Sequence, residues 1–167
     1  MLETSIRING LVQQSCIDLF SYFDVAIGPR VVPGVAMKDI ALCGVIGFSG
    51  HDMRGSLMLA CSLEPLQRTH PGGTASLRDW LAELTNQLLG RVKNRLATMG
   101  AEFHCSTPVV IGGERIAPIE SQSLGQLFTI DGGLVSVWFD AIVRPELRLR
   151  DVPLDNAVMS EGEMLLF

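Results

Sequence analysis

Apolar positions recur along the chain with two periods, and the switches between them lay out the elements. Ile8, Leu11, Val12, Cys16, Leu19, Phe20 and Phe23 fall at helical spacing, so residues 8–23 predict an amphipathic helix ended by Gly28-Pro29. Residues 40–48 and 56–61 read as strands, and the polar stretch 49–55, with two glycines, reads as the hairpin loop between them. After the Pro/Gly-rich residues 70–73 a second helix begins. Ser76 followed by Asp79 has the form of a capping box, and Gly100 is placed to follow the last turn near Met99. Strand patterns return at residues 103–111, 124–130 and 134–143, with Asp131-Gly132-Gly133 as a tight turn. The class predicted is α+β, with two helix-plus-antiparallel-hairpin halves forming a sheet packed by helices. The pattern fades past Pro145, so residues 1–145 read as a single domain and 146–167 as a C-terminal extension.

On a wheel at about 100° per residue, the second helix divides into two faces. Leu77, Trp80, Leu81, Leu84, Leu88, Val92, Leu96 and Met99 form a broad apolar sector, with Arg91 and Arg95 expected at its margin, stems on the core and heads in water. Asp79, Glu83, Asn86, Gly90, Lys93 and Ala97 lie opposite. A solvated face normally carries long residues of high helix propensity, yet its centre is Gly90, which costs about 1 kcal/mol relative to Ala. Small residues there would let another backbone approach closely, with Glu83 and Asn86 presented at the near end.

Composition narrows the possibilities. Hydrophobic residues make up 47% and charged residues 19% of the 167, which describes a folded chain with a core. A net charge of −5 without a basic stripe argues against nucleic acid, where affinity comes from cations on phosphates. The apolar runs are too short to span a membrane, and the N-terminus, with Glu3 and Arg7, lacks a secretory apolar region, so a cytoplasmic protein is expected. Cys16, Cys43, Cys61 and Cys105 are scattered among apolar neighbours and read as reduced, buried thiols. His51, His70 and His104 do not cluster with them, so neither an intrinsic metal nor any other cofactor is expected. Gly44-x-x-Gly47-x-x-Gly50 matches neither phosphate-loop pattern. Trp80 and Trp138 read as core residues.

The run Glu83-x-x-Asn86-x-x-x-Gly90-x-x-Lys93 resembles the E-x-x-N helix of the CheC/CheX phosphatases. Downstream, Ser106-Thr107-Pro108-Val109-Val110-Ile111-Gly112-Gly113 is similar to that family's S-x-P strand and following glycine, and the stretch from Val45 to Gly55 also fits its outline. The family usually carries a helix before the E-x-x-N helix. Here that region, residues 64–75, holds Pro65, Pro71 and two glycines and leaves room for at most one turn. The first helix offers Leu11 to Gln14 and no second E-x-x-N, so the resemblance implies one site, as in CheX, and not the two of CheC.

The resemblance further implies a phosphatase for the aspartyl phosphate of a CheY-like response-regulator receiver domain, whose magnesium ion belongs to the receiver. Asn86 would orient the attacking water and Glu83 would pair with the receiver's lysine, while Gly90, Lys93 and Ala97 would complete the partner-binding face. A homodimer through sheet edges is also implied. The rival is a non-catalytic receiver- or switch-binding module of the same fold, as in the FliM middle domain.

Overall fold

The computed structural model describes residues 2–29, 40–113, 116, 125–130 and 133–151. Among the described residues three helices and seven strands follow in the order α1 (Leu2–Tyr22), β1 (Gly28–Pro29), β2 (Leu42–Ser49), β3 (Met53–Cys61), α2 (Leu63–Thr69), α3 (Leu77–Thr98), β4 (His104–Cys105), β5 (Val109–Gly112), β6 (Gln126–Ile130) and β7 (Gly133–Val143). The strands form a single antiparallel sheet in the order β1-β6-β7-β3-β2-β4, with β5 also on β2. The hairpins β2–β3 and β6–β7 are therefore joined through β3–β7. The expected α+β class, with helix-plus-hairpin halves, is what the chain adopts.

Both long helices end in the same device. Gly100, at φ +91°, follows α3, with Ala101 N–H donating to Leu96 O and Gly100 N–H to Ala97 O. The end of α1 lies earlier than Gly28-Pro29: Asp24 takes the left-handed position at φ 57°, and Val25 N–H reaches back to Phe20 O. Gly28 and Pro29 instead pair with β6. At its other end α1 starts at Leu2, well before residue 8.

Other elements differ from the expected ones. The prolines and glycines of residues 64–75 predict at most one turn of helix, but α2 runs for seven residues. Pro65 falls in its first turn, where a missing N–H breaks no helical bond, and Glu64 pairs with Arg68 at 2.7 Å. The strand predicted over 103–111 is broken into β4 and β5. Cys105 faces Phe48 and Val109 faces Val45, so residues 106–108 of the edge oppose only Ile46 and Gly47 of β2. This is a bulge: Pro108 has no N–H for a ladder, and Ser106 Oγ accepts the Gly47 N–H at 3.0 Å instead. The hairpin loop shrinks the other way, since β3 begins at buried Met53 and Gly50 N–H donates to Met53 O. Asp131 and Gly132 of the expected tight turn lie outside the described residues.

The main core lies between the sheet and the helices. Ile46, Phe48, Leu57, Leu59, Val135, Val137 and Phe139 meet Leu11, Val12, Leu19 and Phe20 of α1 and Leu81, Leu84, Leu88 and Val92 of α3. Trp80 is buried there as expected, its Nε1–H donating to Thr69 Oγ1 at 2.9 Å. A smaller cluster of Ile40, Cys43 and Ala60 forms on the other side of the sheet, and Trp138 joins that one, half-buried. Cys16, Cys43 and Cys61 are buried, and desolvation pushes the Cys43 thiol up to about 12. Cys105, also expected inside, is exposed because it sits on the short edge strand.

The residues just past 145 are not a loose appendage. Leu147 and Leu149 are buried in the main core, Arg150 N–H donates to Met99 O, and Arg7 of α1 donates to the carbonyls of Leu149 and Arg150. Residues 152–167 of the expected extension lie outside the described residues.

Arg95 departs most from its expected place at the helix margin. It is 8% exposed, and its guanidinium donates to Ser15 Oγ at 2.6 Å and pairs with Asp18, both on α1. The pair ties α1 to α3. Replacing Arg95 with Met keeps the stem but leaves a buried hydroxyl and a partly buried carboxylate without their donor. The expected loss is about 2 kcal/mol, read as a lower urea midpoint at unchanged m-value.

Candidate functional site

The site is built on α3, which rests on β2 and β5 and against α1 and α2. Its start is fixed twice. Ser76 Oγ accepts from Asp79 N–H at 3.1 Å, and Asp79 Oδ2 accepts from Ser76 N–H at 3.3 Å, completing the capping box. The Ser76 hydroxyl, which donates to Asp79 Oδ2 at 2.7 Å, and then the Ser76 N–H hold the Asp79 carboxyl below the usual carboxylate range. A depressed carboxylate stabilises the fold at neutral pH and loses that contribution as pH falls through its folded value. Arg78 Nη2 donates to Val110 O at 2.7 Å, fastening the first turn to the edge strand.

Trp80, Leu81, Leu84, Thr85, Leu88, Leu89, Val92, Arg95 and Leu96 are buried, which turns the opposite side of α3 outward. Glu83 and Asn86 are both exposed, one helical turn apart. Glu83 Oε1 accepts from Gln87 Nε2 at 2.8 Å, a bond an incoming cation can displace. No group among the described residues holds the Asn86 amide. Gly90, Lys93 and Ala97 continue the same side but are half-buried. The structure thus brings all five residues onto one face, open at the Glu83 end and more covered toward Ala97.

The neighbouring edge strand is β5, which α3 contacts, with β4 and the bulge before it on the same side of β2. Partial burial raises the Cys105 thiol, and the ammonium of Lys93 opposes that rise. Ser106 is pinned to β2 on both sides, its N–H donating to Gly47 O at 2.9 Å and its Oγ accepting the Gly47 N–H. The roles of Arg78, Thr85 and Ser106 were not visible in the sequence. The glycine-every-third pattern from Gly44 to Gly50 was the available signal.

A shallow depression lined by His51, Asp52, Arg54, Ile142 and Arg144 lies at the far end of the sheet. It includes none of the α3 residues. Among the described residues no group of three or more His, Cys, Asp or Glu could hold a metal ion, and no helix is long and apolar enough to cross a membrane.

One long helix that seals a sheet with one side and presents a carboxylate and a carboxamide with the other defines a CheC-like α+β module. The chain belongs to the CheX family: the family described as Chemotaxis phosphatase CheX matches residues 42–131. Solved structures share the fold. The chemotaxis protein CheX from Vibrio vulnificus is 22% identical, with a TM-score of 0.68 over 81% of this chain and 96% of that one. A CheC-like superfamily protein from Shewanella sp. PV-4 is 23% identical, with a TM-score of 0.65 over 81% and 97%. CheX in the CheX-CheY-BeF3-Mg complex from Borrelia burgdorferi is 18% identical, with a TM-score of 0.53 over 78% and 96%. No curated protein matches the sequence.

Gly90 separates a tolerated glycine from a docking one. A Cβ at this position would meet nothing within 4 Å, so the fold itself does not require glycine there. Gly90→Ala is expected to stabilise the isolated protein by about 0.5–1 kcal/mol and to weaken binding of a receiver domain. Thermal unfolding beside a binding titration checks both, and a variant that is stabilised yet binds equally well removes Gly90 from the contact face.

Proposed function

We propose that this protein hydrolyses the aspartyl phosphate of a CheY-like receiver domain in two-component signalling, with Glu83 and Asn86 as its working residues. The observation that carries the reading is the exposure of this pair on α3 beside a glycine that the fold does not need. Membership of the CheX family supports it, as does the fold shared with a CheX captured with CheY, beryllofluoride and magnesium.

In this reading the receiver brings the phosphate and its own magnesium ion, which spreads the developing charge. Asn86 enters beside the phosphate, and its amide, both donor and acceptor, orients one water behind the phosphorus. The water oxygen bonds to phosphorus as the phosphorus–oxygen bond to the receiver's aspartate breaks. Inorganic phosphate and a free carboxylate leave, and the water's protons pass to phosphate and solvent. Glu83 grips the receiver through its active-site lysine. Gly90, Lys93 and Ala97 form the remainder of the contact, and such a substrate implies work in the cytoplasm.

Asn86→Ala is expected to slow hydrolysis by about 10²-fold or more while leaving affinity for a beryllofluoride-loaded receiver nearly unchanged. Its folding stability should stay within about 0.5 kcal/mol of wild type, since the residue is exposed and Ala is the better helix former. Glu83→Ala should weaken binding as well as turnover. Unchanged turnover in Asn86→Ala defeats the proposal, and a wild type that binds the loaded receiver without shortening the phosphoryl lifetime is a binding module instead.

The same reading includes a homodimer through the sheet edge. Among the described residues β5 pairs in the sheet only with β2, Arg78 reaches its Val110 carbonyl, and its Val109 and Ile111 are 62% and 49% exposed, an apolar edge on which a second copy could extend the ladder. Light scattering at micromolar concentration is expected to return twice the chain mass of 18.1 kDa. A single-chain mass rejects the dimer.

A further inference from the structure

The glycine repeat of β2 finds its place in how α3 is seated. A Cβ added to Gly44 would overlap Thr85 Oγ1 outright and lie 3.1 Å from Thr85 Cβ and 3.4 Å from its Cγ2. Thr85 is fully buried, and its hydroxyl is already committed to Leu81 O at 2.7 Å, so it has no freedom to swing away. The helix therefore touches the strand at a point where the strand has no side chain. Thr85 immediately precedes Asn86 and lies two residues after Glu83. The height of α3 over β2 at this contact is thus the height of the pair itself.

The same strand fixes the other wall of the site. Gly44 is paired with Val110, whose carbonyl takes the Arg78 guanidinium, and Gly47 is bonded to Ser106 through both backbone groups. The strand thus serves as the common reference for the Asn86 side of the site and for the bulge at Ser106-Thr107-Pro108. We infer that Gly44 is a positioning residue: by admitting Thr85 against the backbone of β2, it sets how far Asn86 stands out toward a docked partner. This rests on the function proposed above, and the general physics is that a displacement of about 1 Å costs about 10²-fold in rate when the chemistry depends on alignment.

The test compares wild type with Gly44→Ala, Thr85→Ala and the double variant. Phosphoryl hydrolysis of a receiver is normalised to folded protein, affinity for the beryllofluoride-loaded receiver is titrated, and a crystal structure is determined for each. Gly44→Ala is expected to lower kcat about 10-fold or more with affinity within about threefold of wild type, Asn86 being displaced relative to Val110 by about 1 Å. Thr85→Ala alone is the reference against which the double variant is read. The double variant, which removes the clashing hydroxyl and keeps only the Cβ at 3.1 Å, should recover most of the lost turnover and return Asn86 close to its place. A merely structural role would lower the folded fraction without changing kcat per folded molecule.

If Gly44→Ala alone does not fold, Thr85→Leu enlarges the same contact from the helix side and should lower kcat in the same way. Normal kcat in a folded Gly44→Ala or Thr85→Leu variant overturns the inference, as does a folded double variant with poor turnover. A wild type that hydrolyses nothing defeats the proposed phosphatase. The position of Asn86 in the crystal structures then still decides whether Gly44 sets it, and an unmoved Asn86 overturns it.

Discussion

The constraint on which most of this structure depends is that α3 must be sealed along one side and bare along the other. Its buried residues, from Trp80 to Leu96, form a large part of the wall between helices and sheet. Any slack there would show directly as slack in Glu83 and Asn86, which stand on the same rigid cylinder. The fold removes that slack by contacts of different kinds. Gly44 lets Thr85 down onto β2, the capping box and Arg78 hold the first turn, and Arg95 locks the last turns to Ser15 and Asp18 of α1.

The residue after α3, Met99, accepts a hydrogen bond from Arg150 through its carbonyl, and Gly100 lies against the Arg150 guanidinium, which a Cβ would meet at 3.2 Å. Arg7 near the start of α1 grasps the carbonyls of Leu149 and Arg150. The segment after β7 thus closes over the junction of the two long helices, with Leu147 and Leu149 buried beneath it. Its apolar content is too sparse to show a period, because an extended strap docks by a few side chains and by its backbone.

Where sequence reading worked, the reason was local and periodic. The capping box at Ser76 and Asp79, the left-handed Gly100 and the apolar stripe of α3 are short-range features whose physics is complete within a few residues. The side of the helix carrying Glu83 and Asn86 followed from the same period. Where it failed, the missing information was long-range. Arg95 looked like a marginal cation because its partners are 80 and 77 residues away. The 103–111 strand looked continuous because a bulge is defined by the partner strand, here by what stands opposite residues 106–108. Asp24 gave no glycine signal at the end of α1, and Cys105 looked buried because free cysteines usually are, while its place on an edge depends on the partner strand.

The sequence by itself determined the α+β class, the two helix-and-hairpin halves, and a helix with a carboxylate and a carboxamide on the side away from its apolar stripe. Each of those rests on periodicity and capping, which operate within one element. Only the tertiary structure decided which strand lies under that helix, that Gly44 is the point of contact, that Ser106 is held by Gly47, and that Leu147 and Leu149 belong to the core. Those are relations between segments far apart in the chain. They depend on which surfaces meet, and no period along a single element records that.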